Sequence, residues 1–328
     1  MFIPKIMKTD SALDKKDKRD HITARLGYRR FSHLVEPGLY SLGDPSPVSP
    51  VFVTANYTLS FDALRTSIKG IDGYILVLDT KGINVWCAAG KGTFGTTEVI
   101  KRVQETELSQ VVSHRRLILP QLGAPGVSAH EVQKQTGFKV DYGPVRASDL
   151  PRYLANGPDA EMRKVKFPVK DRIVLIPVEI VQTFIIMAVA AFVLYIIGGP
   201  VAALMALTVV LAGTVLFPIL LPWLPTRDFS SKGIVLGLIM ALPFIANIII
   251  NRGTDPFWIT SMFVVADALL IAPGVGYLAL NITGSTTFAS RTGVKREIFR
   301  YIPIMVAMFI IGGVLFAIAA LSSYAGWS

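Results

Sequence analysis

The sequence predicts an α/β domain followed by an all-α transmembrane domain of five helices. In the first half, short apolar runs alternate with helix-like segments, and long apolar stretches follow in the second half. Hydrophobic residues make up 52% of the chain and charged residues 17%, which is a low charged fraction for a soluble protein. We divide the chain into a polar N-terminal arm (1–34), a cytoplasmic domain (35–166) and a transmembrane domain (167–328).

The N-terminal arm is rich in charge and has no apolar run of signal-peptide length. The run Asp14-Lys15-Lys16-Asp17-Lys18-Arg19-Asp20 is typical of a mobile or loosely packed segment. Residues 35–50 follow with several prolines, each of which fixes φ and removes a backbone donor. They are predicted to form a structured lead-in loop.

Four short apolar runs have the length and β-branched content of buried strands. These runs are 51–54, 74–78, 117–119 and 138–140, and the helix-like segments between them are 61–69, 97–110 and 128–136. Such alternation predicts a mainly parallel, Rossmann-like sheet with crossover helices. Ligands of these sheets bind at the loops that follow the strands.

Those loops are rich in glycine, proline and small residues, which lets the backbone approach a ligand closely. They comprise residues 54–57, 79–95, 120–126 and 142–146. For any one loop, ordinary turn formation explains the same composition. The four loops are therefore a candidate ligand-binding site only when they are taken together.

Five apolar stretches in the second half each approach the roughly 20 residues that a helix needs to cross a bilayer core. They are 173–197, 201–221, 233–250, 257–282 and 302–324. Basic residues of the short connections fall on one side, at Lys170, Arg172, Arg227, Lys232, Arg291, Lys295, Arg296 and Arg300, and the other side has Arg252. The positive-inside rule then places the α/β domain in the cytoplasm and the C-terminus outside.

Most of the net charge of +10 lies in residues 1–172, which carry 26 Lys/Arg against 18 Asp/Glu. No nucleic-acid-binding motif accompanies this positive charge, so we assign it to the cytoplasmic face of the cell membrane and expect no nucleic-acid partner.

Asp267 lies inside the fourth predicted span and Glu179 near the start of the first. Ionisable groups at such depth are costly. Asp267 suits a hydrogen-bonding anchor and an ion or substrate path equally well.

Cys87 is the only cysteine in the chain. It cannot form an internal disulfide or supply the ligands of an iron-sulfur cluster. A lone cysteine is more often a small buried hydrophobe than a reactive group. Here Lys81 and Lys91 flank it, and nearby cations favour the thiolate, the form that binds metals. The next three residues, 88–90, have almost no side-chain bulk, so a large flat ligand can lie against the sulfur.

Common ligand-binding motifs match this region poorly. Residues 90–95 fit the dinucleotide pattern G-x-G-x-x-G, but no acidic residue ends the next predicted strand. Lys91 is followed by glycine, which excludes a phosphate-binding P-loop. The four histidines have no zinc-site spacing, and the Asp-x-His-x-x-Gly motif of many cobalamin proteins is absent from the sequence.

One segment resembles the cap-helix motif of the mercury-methylating corrinoid proteins, which are the membrane protein A of the two-protein mercury methylation system. This segment is the run Asn84-Val85-Trp86-Cys87-Ala88-Ala89-Gly90-Lys91. The flanking residues 78–83 and 92–96 fit as well, as do the loops 53–57 and 120–126. More broadly, these segments resemble the corrinoid-binding domain of the large subunit of corrinoid iron-sulfur proteins. The likeness covers about residues 35–170, and the apolar tail matches the membrane family in architecture.

This resemblance implies a methyltransferase that transfers a cobalt-bound methyl group to Hg(II). Cys87 would be the catalytic residue, its thiolate ligating the cobalt of a base-off, cobalamin-type corrinoid from the lower face. The cap helix would comprise Asn84, Val85, Trp86, Ala88, Ala89, Gly90 and Lys91, and the residues around the cofactor would include Thr54, Asn56, Gln121, Gly123 and Gly126. Without cluster cysteines, reduction would depend on a ferredoxin-like partner. The methyl donor would be of the folate type.

Two other functions fit the same sequence. The first is a corrinoid methyl carrier of one-carbon metabolism, for which mercury would be incidental. The second is a transporter or metal-uptake protein with a cytoplasmic domain that regulates it through Cys87. The transporter hypothesis predicts a protein without cobalt, in which substitution of Asp267 has a larger effect than substitution of Cys87.

Overall fold

The structure is a computed structural model that describes residues 5–29, 31–252 and 255–325. The chain divides into two compact units, Met1–Lys166 and Phe167–Ser328. We refer to them as unit 1 and unit 2.

Unit 1 contains a mixed six-stranded sheet in the order β1-β2-β4-β3-β5-β6. The strands are β1 (Ile6–Thr9), β2 (Gly38–Leu42), β3 (Val51–Ala55), β4 (Gly73–Leu78), β5 (Arg116–Leu119) and β6 (Lys139–Tyr142). β2 runs antiparallel to β4, and every other neighbouring pair is parallel. The four predicted strands are therefore present as β3 to β6, and these four are neighbours that all run parallel.

Helices cover both faces of this sheet. They are α1 (Lys15–Arg25), α2 (Thr58–Ser67), α3 (Val85–Lys91), α4 (Thr96–Glu105), α5 (Leu108–Val111), α6 (Ala129–Thr136) and α7 (Leu150–Asn156). One apolar cluster joins the sheet to α3, α4 and α6 through Ala88, Val99 and Val132. The other joins it to α2 and α7 through Phe61 and Leu150. The sheet is thus buried between two helical layers, as a largely parallel sheet requires.

Two sequence-based expectations for unit 1 need correction. The segment 97–110 forms two helices instead of one, because Glu107 adopts a left-handed backbone (φ 45°) that ends the first helix. The N-terminal segment and the lead-in loop contribute β1 and β2 to the sheet, with Ile6 opposite Leu39. β2 is buried along its whole length. Its strand character was hidden by the turn-forming residues around it.

The strand order places a change of winding direction between β3 and β5. From β3 the chain continues to β4 on one side, and it later enters β5 on the other side of β3. In open α/β sheets, ligands bind beyond the carboxyl ends of the strands at such a point. The loops after β3 and β5 meet this description.

Unit 2 is helical. Its helices are α8 (Val169–Ile173), α9 (Ile176–Leu211), α10 (Phe217–Leu220), α11 (Phe229–Asn251), α12 (Phe257–Ile282) and α13 (Arg291–Tyr324), and a π-helical stretch, Ala212–Leu216, joins α9 to α10. Within the described residues, four helical segments are long and apolar enough to cross a membrane, the first being Val169–Leu220. That segment is broken at Gly199, which has φ 75° and ψ −168° and precedes Pro200. The break separates the first two predicted stretches. The five spans and their orientation remain predictions.

Two kinds of contact join the helices of unit 2: close packing between α11 and α12, and hydrogen bonds to the Glu297 carboxylate. A Cβ at Gly237 on α11 would lie 2.6 Å from Ala272 Cα on α12, so these helices pack at close range. Glu297 on α13 accepts hydrogen bonds from the backbone N–H groups of Phe229 (3.2 Å) and Ser230 (3.0 Å). It thereby caps the start of α11. Asp267 is buried on α12, at 4% exposure.

Candidate functional site

The predicted cap segment forms the short helix α3. Asn84 precedes it, and its side-chain oxygen accepts a hydrogen bond from Cys87 N at 2.9 Å. Gly92 follows it with φ 85°, a left-handed conformation that glycine adopts readily, and donates to the carbonyls of Ala88 and Ala89. Asn84 and Gly92 therefore fix the two ends of the helix that carries Cys87.

The two sides of α3 differ sharply. Ala88 and Ala89 are buried, at 0% and 5% exposure, and belong to the core cluster beneath the helix. Cys87 is half-buried, and Gly90, three residues on, is exposed. A Cβ placed on Gly90 would meet no heavy atom within 4 Å. The outer side of α3 therefore offers a sulfur beside an open surface without side-chain bulk.

The loop after β5 supports the inner side of the cap helix. A Cβ at Gly126 would lie 2.2 Å from Phe94 O and 3.0 Å from Ala89 Cα. A Cβ at Gly123 would lie 2.5 Å from Phe94 Cε1. Only glycine permits these approaches. Both residues were predicted to surround a cofactor, and the structure gives them a packing role against Phe94 and, for Gly126, α3.

Asn56 organises the loop that leads into the cap helix. It is buried at the end of β3, and its side-chain oxygen accepts hydrogen bonds from Thr80 N (3.0 Å) and Gly82 N (3.0 Å). The Thr80 hydroxyl lies 2.9 Å from the same oxygen. Thr54 is buried within β3, at 3% exposure. The contacts of Asn56 are thus with the chain itself, and they position the residues just before Asn84.

Two buried oxygen atoms near α3 have no hydrogen-bond partner among the described residues. They are Gln121 Oε1 in the loop after β5 and Thr93 Oγ1 just beyond the cap helix. Leaving such an atom unpaired costs about 1–3 kcal/mol, so it calls for a ligand or water partner. Gln121 was predicted as a site residue. Thr93 was missed because it lies in the glycine-rich run that matched the dinucleotide pattern weakly.

The loop after β6 is hydrogen-bonded to the loop after β5. Tyr142 OH donates to Val127 O at 2.5 Å, and Gln121 N donates to Pro144 O at 3.3 Å. Burial raises the pKa of Tyr142 above its ordinary value. The loops after β5 and β6 therefore act as one support beside the cap helix.

The two cations predicted to flank Cys87 have different surroundings. The Lys81 ammonium forms an ion pair with Asp79. Burial raises the pKa of Asp79, but hydrogen bonds from the Lys81 side chain and backbone outweigh this effect and hold that pKa below its usual value. Lys81 is thus engaged with a carboxylate. Lys91, at the exposed end of α3, is the cation that shares a helix with Cys87.

The described residues contain no group of three or more His, Cys, Asp or Glu side chains placed to hold a metal ion. Cys87 is the one side chain of these four types in α3, and it is half-buried.

We expect Asn84→Ala to loosen α3 selectively. Loss of an N-cap side chain destabilises a helix by about 1 kcal/mol, which corresponds to roughly fivefold faster amide exchange when local opening controls the rate. Hydrogen–deuterium exchange of the α3 amides measures the effect. Ser128→Ala is the matched control, because Ser128 caps α6 in the same way. It should accelerate exchange in α6 alone, and equal exchange of α3 in the unaltered protein and Asn84→Ala would contradict the capping role.

Unit 1 is similar in sequence to a known protein family. Residues 29–154 match the family model of the CO dehydrogenase/acetyl-CoA synthase delta subunit. The matched residues lie inside unit 1 and include the whole of α3.

Individual relatives match the same region. The acetyl-CoA decarbonylase/synthase complex subunit gamma of Methanopyrus kandleri is 39% identical over 123 residues, 37% of this chain and 26% of that protein. Its counterpart from Archaeoglobus fulgidus is 35% identical over 122 residues, with the same two shares. The corrinoid/iron-sulfur protein large subunit of Moorella thermoacetica is 28% identical over 145 residues, 42% of this chain and 32% of that protein. The chain thus spans about a quarter to a third of the length of these relatives.

These matches confirm the broader of the two resemblances. Unit 1 is related to the corrinoid/iron-sulfur protein large subunit and to the gamma subunits of the acetyl-CoA decarbonylase/synthase complex. The narrower resemblance, to the mercury-methylating proteins, stays a prediction.

Proposed function

We propose that unit 1 binds a corrinoid and transfers a methyl group from it, with Cys87 as the protein ligand of the cobalt. The observation that carries this proposal is the half-buried Cys87 on a short helix whose inner side is packed into the core, in a unit whose sequence is related to a corrinoid/iron-sulfur protein. Binding of the cofactor and ligation by Cys87 are both part of the proposal.

The residues around Cys87 fit such a cofactor. A corrin is a large flat ring with amide groups around its rim, and the open surface at Gly90 suits a flat ring. The unpaired oxygens of Thr93 and Gln121 are acceptors that suit amide N–H groups. We assign Cys87 to the metal and these two residues to the rim of the ring.

The chain contributes position and electron donation. A bound corrinoid would supply a cobalt–carbon bond from which a methyl group can leave. The Cys87 thiolate is a strong electron donor, and donation from it favours release of the methyl group toward a soft electrophile such as Hg(II). Asn84 fixes the backbone at Cys87, and Asn56 fixes the loop before Asn84.

Hg(II) is the acceptor that we propose, because the residues Asn84–Lys91 resemble the cap helix of mercury-methylating proteins. The alternative is a membrane-anchored methyl carrier of one-carbon metabolism, which the names of the acetyl-CoA decarbonylase/synthase relatives favour. Under either function we propose a ferredoxin-like electron donor and a folate-type methyl donor. We place unit 1 in the cytoplasm and unit 2 in the cell membrane, with the C-terminus outside.

The test begins with the ultraviolet-visible spectrum of the full-length protein purified without reconstitution. We expect corrinoid absorption bands and one cobalt per chain. The methylated protein is then offered Hg(II), a thiol or a nickel acceptor in parallel, and we expect transfer to Hg(II) to be fastest. Transfer to the thiol or nickel acceptor alone would support the one-carbon carrier. A protein with neither corrinoid bands nor cobalt would contradict both methyl-transfer functions and favour the transporter.

A further inference from the structure

Helix α1 presents its charged and apolar residues in an unusual arrangement. One side of the helix is solvent-exposed. It consists of Lys15, Lys18, Arg19, Ile22 and Arg25, with the C-cap residue Leu26, and these residues recur at the three- and four-residue spacing of a single helix face. Ile22 is 61% exposed and Leu26 is 37% exposed. We call these six residues the outer α1 face.

The opposite side of α1 attaches to the sheet domain through charged groups. Arg65 on α2 donates to Asp17 at 2.6 Å, and His21 Nε2 lies 2.7 Å from Asp62 Oδ2. Asp20 Oδ1 lies 2.7 Å from the ring nitrogen Nδ1 of His33. Both acidic residues of α1 are therefore used on the inner side.

This arrangement differs from that of an ordinary surface helix, which buries its apolar side. No residue of α1 is buried. Because the inner side takes up Asp17 and Asp20, the outer α1 face is left with positive charge and aliphatic side chains. A face of this composition matches a surface that is both negative and apolar.

The apolar surface continues in the turn that follows α1. Tyr28 is 58% exposed and Phe31 is 72% exposed. Large aromatic side chains at this exposure, next to a basic helix, are typical of segments that rest in the headgroup region of a bilayer. Leu34, after this turn, packs over Gly82, since a Cβ at Gly82 would lie 2.7 Å from Leu34 Cδ2. The surface thus adjoins the loop that leads into the cap helix.

We propose that the outer α1 face, with Tyr28 and Phe31, binds the anionic surface of a lipid bilayer. Positive charge at the helix surface is attracted to anionic headgroups, and Ile22, Leu26 and Phe31 can enter the boundary between headgroups and acyl chains. A helix this short binds lipid weakly when it is free. This inference rests on the membrane placement of unit 2 proposed above: with those apolar helices in a bilayer, α1 of the same chain meets lipid at a high local concentration, and weak contacts suffice.

The test uses the full-length protein in vesicles, with Cys87→Ala as the background so that a single introduced cysteine carries a nitroxide label. Labels are placed by Ile22→Cys and by Val48→Cys, a control position in unit 1 that is 75% exposed. Power-saturation spectroscopy compares the access of oxygen and of a water-soluble nickel chelate. In vesicles with anionic lipid, we expect nickel access at position 22 to fall at least about threefold below that at position 48.

Charge reversal provides the second arm. Lys18→Glu, Arg19→Glu and Arg25→Glu together should restore nickel access at position 22, as should vesicles of zwitterionic lipid alone. Lys69→Glu with Lys134→Glu is the matched control, because both lysines are exposed residues of unit 1 outside this face. These two changes should leave the label protected.

Three results would overturn the proposal. Equal nickel access at positions 22 and 48 in anionic vesicles would show that the face stays in water. Protection that persists in zwitterionic vesicles and after the triple reversal would show that something other than anionic lipid covers it. Protection that arises only when a soluble acidic protein is added would make it a protein-docking surface instead.

Discussion

Replacing Cys87 with alanine is expected to reduce methyl transfer to Hg(II) at least about 100-fold, since even residues that only orient a metal ligand are worth 10- to 100-fold. Unit 1 should stay folded. The Cys87 side chain is half-buried, and the buried core beneath α3 is formed by its neighbours Ala88 and Ala89. The hydrogen bond to Asn84 uses the Cys87 backbone N–H, which alanine retains.

The measurement is methylmercury formed by cells that make the unaltered or the variant protein, normalised to the amount of protein in their membranes. Cys87→Thr and Cys87→His should also lower the rate, because they replace the thiolate with a weaker or different ligand. The spectrum of each purified variant shows whether corrinoid is still bound. Unchanged methylmercury production by Cys87→Ala, at equal protein levels, would remove Cys87 from the reaction.

The central strands could be predicted because their information is local. β3, β4 and β5 are continuous apolar runs, as expected for strands buried on both faces. Strands β1 and β2 gave no such signal, since β1 is exposed or half-buried along its length and β2 follows directly after Pro37. The attachment of α1 was also unpredictable. Arg65 and Asp17 are 48 positions apart, and nothing in the charged segment indicates which residue it will meet.

In the candidate site, too, features fixed by neighbouring residues could be predicted and features fixed by distant residues could not. Asn84 can be read as a helix cap and Gly92 as a helix end because both lie beside the helix that they terminate. Asn56 acts on Thr80, 24 positions away, so its role in holding the loop appears only in the folded chain. The glycines after β5 were predicted for close approach to a ligand. The structure shows close approach to Phe94 and Ala89, a tertiary contact with the same sequence signal.

Gly126→Ala is expected to destabilise unit 1 by about 3 kcal/mol, at the upper end for overpacking of a core. The added Cβ would lie 2.2 Å from Phe94 O and 3.0 Å from Ala89 Cα. Both are backbone atoms, so no side-chain rotation can relieve the contact, and either the loop or α3 has to move. Displacement of α3 shifts Cys87, so the amount of corrinoid bound per chain should fall as well. Thermal unfolding and the corrinoid spectrum measure the two effects.

Gly90 provides the matched comparison, because it lies on the outer side of α3, whereas Gly126 packs against the inner side of that helix. Gly90→Ala should leave stability unchanged or raise it by up to about 1 kcal/mol, since alanine favours helix and the new methyl group meets no heavy atom within 4 Å. Gly90→Leu should keep the fold but lower corrinoid binding, because its side chain would occupy the open surface beside Cys87. Normal unfolding of Gly126→Ala would contradict the inner packing role. Normal corrinoid binding by Gly90→Leu would place the flat ligand elsewhere, because a ring lying against Cys87 cannot share that surface with a leucine side chain.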